Sequence, residues 1–210
     1  MSTARTRLGA ALAAFALLLQ ACATTPPPVG GAESERQYLA RVDRLSATPH
    51  WIVEGRLAVR DGEDGGSGTL RWQSGPDRSR LDFHGALGRG AWRLVAAPGD
   101  AVLTEADGAV FRADSVDGLV TERLGWRVPV EELSWWIRGL AAPGSRAHKV
   151  LGEGGALLSL KQSGWEIAFS RYREFGDEQM PGLVVARRDE RQVRFAIRDW
   201  TLGEGAGVES

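Results

Sequence analysis

Short segments in which apolar and polar residues alternate strictly are the feature that most constrains the fold of this chain. The clearest of them cover residues 51–60, 70–73, 81–84, 158–161, 165–170 and 192–198. Successive side chains of a β-strand point to opposite faces, so this alternation predicts strands with one buried and one solvated face. Breaks rich in glycine and aspartate separate the segments and supply turns. The pattern predicts about ten or eleven antiparallel strands.

Three further segments have helical rather than strand periodicity. Residues 34–47 repeat apolar side chains at helical spacing. Residues 115–124 form the second helical segment, with Asp114 or Ser115 as its cap. Residues 129–137 form the third, with a proline at the start and two glutamates in the first turn. A large antiparallel sheet curls and needs a cover for its concave face. The predicted fold class is therefore mainly β with helices (α+β): an incomplete antiparallel β-barrel with a helical lid over an apolar cavity.

The N-terminus predicts an export signal followed by a lipid anchor. Arg5 and Arg7 precede an uncharged apolar run over residues 8–19, which is shorter than the roughly 20 residues of a membrane-spanning helix. The run ends close to Ala21 and Cys22, and Cys22 is the only cysteine of the chain. This arrangement resembles a lipobox, in which the thiol receives a diacylglycerol and the cysteine becomes the first residue of the mature protein.

The alternative for Cys22 is a small buried hydrophobic residue, which is the usual role of a lone cysteine. The residues that follow it are polar and rich in proline, which is typical of a tether. We therefore predict a signal peptide over residues 1–21, a lipid-anchored flexible tether over 22–33, a single domain over 34–203 and a disordered tail over 204–210.

Composition and motifs argue against several classes of function. The formal charge is −1, and removal of two arginines with the signal makes the chain more acidic, which argues against nucleic-acid binding. The three histidines lack zinc-ligand spacing, and there is no glycine-rich phosphate loop with a lysine. Ser67 lacks the last glycine of a nucleophile elbow, and residues 65–69 are more typical of a hairpin loop. We predict no catalytic residues, no cofactor and no metal.

Two sets of residues are candidates for contact with lipid. Eight tryptophans indicate wide apolar surfaces that meet either the protein's own core or a ligand. Leu87 is the only large apolar residue in the glycine-rich loop 85–90, and it either packs on the sheet edge or projects into a membrane. The candidates for the wall of a ligand cavity or for the core are Trp72, Phe83, Trp92, Leu94, Trp135, Trp136, Trp165, Phe169 and Phe195.

Several short motifs, taken in order, resemble the LolB family of outer-membrane lipoproteins. They cover residues 83–88, 124–130, 133–140, 162–165 and 197–200, in addition to the lipobox. The resemblance implies an unclosed β-barrel with a helical lid and an apolar cavity. It implies a monomeric receptor, lipid-anchored on the periplasmic face of the outer membrane. Such a receptor accepts acylated lipoproteins from a LolA-like periplasmic carrier and inserts them into the outer membrane without ATP. It also implies that Leu87 contacts the membrane.

Two other functions remain open at this stage. A lipocalin-like protein would carry a small apolar ligand in a similar cavity without passing it on. A surface-anchored lipid hydrolase would need a nucleophile–base pair, and no such pair is recognisable in the sequence.

Overall fold

The computed structural model describes residues 31–86 and 90–203, and this part of the chain forms three α-helices and thirteen strands. The helices are α1 (Ala32–Ser46), α2 (Val116–Leu124) and α3 (Val130–Trp136). The strands are β1 (Trp51–Asp61), β2 (Asp64–Ser74), β3 (Ser79–Gly85), β4 (Trp92–Ala97), β5 (Asp100–Glu105), β6 (Val110–Ala113), β7 (Ala147–Leu151), β8 (Leu157–Gln162), β9 (Trp165–Ser170), β10 (Arg173–Phe175), β11 (Glu178–Met180), β12 (Leu183–Arg188) and β13 (Arg191–Leu202).

Eleven of these strands form one antiparallel sheet in the order β6-β5-β4-β3-β2-β1-β13-β12-β9-β8-β7. Strands β10 and β11 form a separate hairpin. In the part of the chain that is described, β6 and β7 stand at opposite edges and do not pair with each other, so the sheet is not closed. The prediction of a mainly β protein with an incomplete antiparallel barrel and a few helices is confirmed.

The strands follow the alternation seen in the sequence. In β9, Trp165, Ile167 and Phe169 are buried, whereas the residues between them are exposed. The buried side chains of the strands and of all three helices join into one hydrophobic core. The face of the sheet that carries these side chains is called the inner face below. None of the helices among residues 31–86 and 90–203 is long and apolar enough to cross a membrane.

Helices α2 and α3 are held together by a side chain at their junction. Ser115 caps α2, as one of the two predicted caps, by accepting a hydrogen bond from the backbone N–H of Gly118 (3.2 Å). Asp117 in the first turn of α2 accepts a hydrogen bond from the backbone N–H of Val130 (2.8 Å), at the first residue of α3. Burial raises the pKa of Asp117. The two helices therefore form one connected unit.

The glycine-rich residues 65–69 belong to β2, which corrects the prediction of a hairpin loop. A Cβ atom on Gly68 would lie 2.2 Å from the backbone oxygen of His84, in the neighbouring strand. A Cβ atom on Gly66 would lie 2.8 Å from the indole ring of Trp126. Glycine is present at these positions because a neighbouring backbone and an aromatic ring leave no room for a side chain. The strand therefore has a composition that is typical of a loop.

Candidate functional site

An apolar cavity of about 40 Å³ lies between the inner face of the sheet and the unit formed by α2 and α3. Strands β1 to β4 and β13 provide one wall, and the two helices with the segment between them provide the other. All fourteen lining residues are apolar or aromatic: Leu57, Val59, Leu70, Trp72, Leu81, Trp92, Val120, Trp126, Val128, Val130, Leu133, Ile137, Val193 and Phe195. A space with such walls offers water few hydrogen-bond partners and is suited to hydrocarbon.

The cavity is too small for an acyl chain as it stands. A volume of about 40 Å³ is close to the roughly 30 Å³ that one water occupies in the liquid, and benzene occupies an engineered cavity of about 150 Å³. A chain of many carbons would therefore fit only if α2 and α3 moved away from the sheet. In this structure α2 and α3 are closed onto the sheet around a space of about 40 Å³.

Three of the predicted cavity residues line this space. Trp72, Trp92 and Phe195 face it from β2, β4 and β13. Phe83 lies in the core next to it and stacks on Trp92, with ring centroids 5.1 Å apart. Leu94 is fully buried but is not part of the cavity wall. That any of these residues contacts an acyl chain stays a prediction.

The other four predicted residues lie elsewhere. Trp136, Trp165 and Phe169 are buried in the core but do not line the cavity. Trp136 donates a hydrogen bond from Nε1 to Oε1 of Gln162 (2.9 Å), at the end of β8, and its ring lies 6.2 Å from that of Trp165. Trp135 is half-buried and lines an open pocket instead.

The prediction from aromatic residues missed most of the helical wall. Val120, Trp126, Val128, Leu133 and Ile137 all line the cavity. The apolar stripe at helical spacing over residues 129–137 is a signal that could have identified Leu133 and Ile137. Trp126 and Val128 lie outside any periodic segment, so their position follows only from the tertiary structure.

The segment between the helices, residues 125–129, is attached to the sheet by a buried carboxylate. Asp61 at the end of β1 has a side chain only 1% exposed. It accepts hydrogen bonds from the backbone N–H of Arg127 (2.8 Å) and from Nε (3.0 Å) and Nη2 (2.6 Å) of the same side chain. The guanidinium of Arg127 holds the pKa of Asp61 below its ordinary value. This contact joins residues 66 positions apart, and no local pattern predicts it.

Replacing Asp61 with asparagine should lower the free energy of unfolding by about 2 kcal/mol, because hydrogen bonds to a charged group are each worth roughly 1.5–3 kcal/mol. The stabilisation is full above the ordinary pKa of an aspartate and is lost as the pH falls through the depressed pKa. The difference between wild type and Asp61→Asn should therefore shrink below about pH 4. Urea denaturation at several pH values measures it.

The exposed aspartate Asp43 on α1 provides a control for this prediction. Asp43→Asn should leave the free energy of unfolding within about 0.5 kcal/mol of the wild type. Equal stability of Asp61→Asn and Asp43→Asn at pH 7 would show that the buried contact does not hold the segment.

A buried arginine connects the end of α3 to the end of α1. Arg138 donates hydrogen bonds to the backbone oxygens of Ser134 (3.0 Å) and Leu45 (3.3 Å). Its guanidinium carbon lies 5.6 Å from the ring centroid of Trp51 and 4.6 Å from that of Trp135. Burial lowers the pKa of Arg138 to about 10. The arginine fixes the end of α3 that lies next to the cavity wall.

An open pocket of about 290 Å³, here called the vestibule, adjoins the apolar cavity. Trp72 and Val130 line both spaces, so they form the boundary between them. Three acidic residues and one basic residue line the vestibule, which gives it an acidic character. Its polar lining consists of Ser74, Asp77, Arg78, Ser79, Asp114, Ser115, Glu131 and Ser134.

Two of the predicted site residues, Cys22 and Leu87, lie outside the described residues. Cys22 precedes the first described residue by several positions. Leu87 belongs to the connection between β3, which ends at Gly85, and β4, which begins at Trp92.

Comparisons with known sequences place this architecture in a family. The family model described as "Outer membrane lipoprotein LolB" matches residues 49–200. The outer-membrane lipoprotein LolB of Pseudomonas syringae pv. syringae (strain B728a) is 36% identical over 185 residues, which cover 87% of this chain and 90% of that protein. The protein of the same name from Pseudomonas aeruginosa (strain LESB58) is also 36% identical, over 197 residues that cover 92% of this chain and 96% of the relative.

Solved structures show a similar fold at low sequence identity. A LolA superfamily protein from Nitrosomonas europaea aligns with a TM-score of 0.53 at 8% identity, covering 78% of this chain and 92% of that one. A putative outer membrane lipoprotein-sorting protein domain from Vibrio parahaemolyticus also aligns with a TM-score of 0.53 at 10% identity, covering 84% of this chain and 95% of that one. At this level of identity the likeness concerns the fold alone. The family match, by contrast, spans β1 and nearly all of β13 with everything between them, so the chain belongs to the outer membrane lipoprotein LolB family.

Proposed function

We infer that this protein is an outer-membrane lipoprotein receptor, which accepts acylated lipoproteins from a periplasmic carrier and inserts them into the outer membrane. The observation that carries this proposal is the wholly apolar cavity between the inner face of the sheet and the α2–α3 unit. Membership in the LolB family supports the same function. The protein acts as a transport receptor and not as an enzyme.

The physical need for such a cavity follows from the cost of wetting hydrocarbon. Each buried CH₂ group is worth roughly 0.8 kcal/mol, so exposing a chain of about 15 carbons to water costs on the order of 12 kcal/mol. A receptor that shields the chain lets it leave a carrier and enter a bilayer without this exposure. No nucleotide is required if each acceptor binds the chain more tightly than its donor.

Closure of the empty cavity helps to keep the receptor's affinity for an acyl chain below that of the membrane. Closing the α2–α3 unit onto the sheet buries the apolar side chains of the empty receptor and leaves only about 40 Å³ unfilled. Acyl binding must therefore compete with closure, which weakens the apparent affinity by the fraction of molecules that are open. A receptor of this kind holds its cargo more weakly than an always-open cavity would, and this favours release into the membrane.

The remaining parts of the chain fit the same role. We propose that residues 1–21 direct export, that Cys22 carries the lipid anchor, and that residues 22–33 tether the domain over 34–203 to the membrane, with 204–210 as a tail. The partners are a LolA-like carrier, the acylated cargo and outer-membrane lipid, and the receptor acts as a monomer. Leu87 would enter the bilayer during insertion of the cargo.

A transfer assay tests this function directly. The purified lipidated protein is incorporated into liposomes and mixed with a periplasmic carrier that holds an acylated lipoprotein, and the cargo that floats with the liposomes is measured. Transfer is expected without any nucleotide. Cargo that binds the receptor but never becomes integral to the membrane would indicate a lipocalin-like carrier, and release of free fatty acid would indicate a hydrolase.

In the same assay, Leu87→Glu should preserve cargo binding and lower insertion by at least about tenfold. A charged side chain costs roughly 2.5–3.5 kcal/mol at the centre of a bilayer, and part of this cost already applies at shallower depth. Leu39 on α1 provides a matched control because it is a leucine that is 51% exposed. Leu39→Glu should insert cargo as the wild type does. Unchanged insertion by Leu87→Glu would remove Leu87 from the mechanism.

A further inference from the structure

We propose that the indole N–H of Trp72 is a subsite for a carbonyl group, so that the receptor distinguishes ester- or amide-linked acyl chains from plain alkyl chains. This inference rests on the proposed function and specifies which part of the cargo lipid the receptor recognises. The ligand group is the carbonyl oxygen that joins a fatty acyl chain to its glycerol or amide nitrogen.

The first observation is an unpaired donor in a buried side chain. Trp72 is 5% exposed, and its Nε1 atom has no hydrogen-bond partner among the described residues. The buried indole of Trp136 contrasts with it, because its Nε1 donates to Gln162. An unpaired buried N–H costs free energy comparable to a lost hydrogen bond, so such donors are rare in native proteins and call for a partner.

The second observation is the position of this donor. Trp72 and Val130 line both the apolar cavity and the polar vestibule. Of these two residues, only Trp72 has a side-chain donor, and the backbone N–H of Val130 is already bonded to Asp117. An acyl chain held in the cavity has its carbonyl at the end where hydrocarbon gives way to polar groups. That end coincides with the boundary at which Trp72 lies.

A second buried tryptophan, Trp200, provides a control, because it has the same N–H donor, unpaired in the described part of the chain, but lies away from the cavity. Trp200 is also buried and its Nε1 also has no partner among the residues described, but it does not line the cavity. The rings of Trp72 and Trp200 both contact Trp51, at centroid distances of 5.5 and 5.7 Å. Replacing either residue with phenylalanine removes the same donor and similar volume from one aromatic cluster. Of the two residues, only Trp72 lines the cavity.

The test compares two ligands with chains of the same length. The mature full-length protein is purified, and 1-monopalmitoylglycerol or 1-O-hexadecylglycerol is used to displace a fluorescent apolar probe. The two ligands differ in the carbonyl group, which the ether lacks. We expect the wild type to bind the ester about fivefold more tightly, as one additional hydrogen bond predicts. Trp72→Phe should reduce this ratio to about one, and Trp200→Phe should retain it.

Each outcome decides the proposal. Equal affinity of the wild type for the two ligands, or an unchanged ratio in Trp72→Phe, overturns the carbonyl subsite and leaves the receptor function intact. Failure of the wild type to bind either ligand contradicts the acyl-binding cavity itself, and the subsite falls with it.

A measurement on the wild type keeps the proposal testable if Trp72→Phe does not fold. In ¹⁵N-tryptophan-labelled protein, the assigned indole proton of Trp72 should shift downfield on addition of the ester and not of the ether. The same response to both ligands would overturn the proposal.

Discussion

Replacing Cys22 with alanine should release nearly all of the protein from the outer membrane into the periplasm. The sequence places this only cysteine directly after an export-signal pattern. A lipid anchor binds the bilayer through roughly 0.8 kcal/mol for each buried CH₂ group, and two or more chains make the attachment stable. Without the thiol no diacylglycerol can be added, so this attachment is lost. Fractionation of cells followed by immunoblotting measures the distribution.

The neighbouring residue provides the control for this experiment. Ala23→Ser changes the same segment and leaves the thiol in place, so it should remain in the outer-membrane fraction. If Cys22→Ala stayed in that fraction as well, Cys22 would not be the anchor. The released protein should still bind acyl chains, because the cavity is built entirely from residues between Leu57 and Phe195.

Replacing Trp136 with alanine should lower the free energy of unfolding by about 3–5 kcal/mol, the range for truncation of a buried tryptophan. Trp136 is 0% exposed and links α3 to the end of β8 through its hydrogen bond to Gln162. Gln162 also accepts a hydrogen bond from the backbone N–H of Ala142 (2.9 Å) and donates to the backbone oxygen of Ala142 (2.7 Å). The change therefore leaves a cavity and weakens a small buried network. Urea denaturation measures the loss.

The adjacent residue is a matched control, because Trp135 is half-buried and lines the open vestibule. Trp135→Ala should lower the free energy of unfolding by less than half as much as Trp136→Ala does. Trp136→Phe retains most of the ring, so it should be intermediate and give a folded protein if the alanine variant does not fold. A loss for Trp136→Ala no larger than that for Trp135→Ala would contradict the burial of Trp136 in the core.

Much of the fold could be predicted because local rules govern it. Alternation in β9 identified Trp165, Ile167 and Phe169 as the buried set, and the pair Asp114 and Ser115 marked the start of α2, where Ser115 is the cap. These signals depend only on the geometry of a strand or of a helix end, and the required residues lie within one segment. Residues 65–69 could not be assigned in this way, because glycine is required there by the close approach of His84 and Trp126, which lie in other segments.

The site was less predictable than the fold. Alternation shows that Trp72 and Phe169 both point to the inner face, but it cannot show that only Trp72 lies under α2 and α3. The position of a residue along the face depends on strand register and on where the helices dock. The contact between Asp61 and Arg127 depends on the same long-range arrangement, since each residue alone resembles an ordinary charged residue of a turn or loop.

The sequence by itself therefore determined the class of fold, the inner face of the strands, the helix ends and the resemblance to a lipoprotein family. The tertiary structure alone decided which aromatic residues form a cavity wall, that the closed cavity is only about 40 Å³, and that a buried carboxylate holds the segment between the helices. Periodicity and capping arise from neighbouring residues, whereas a cavity arises where strands and helices distant in the chain come together.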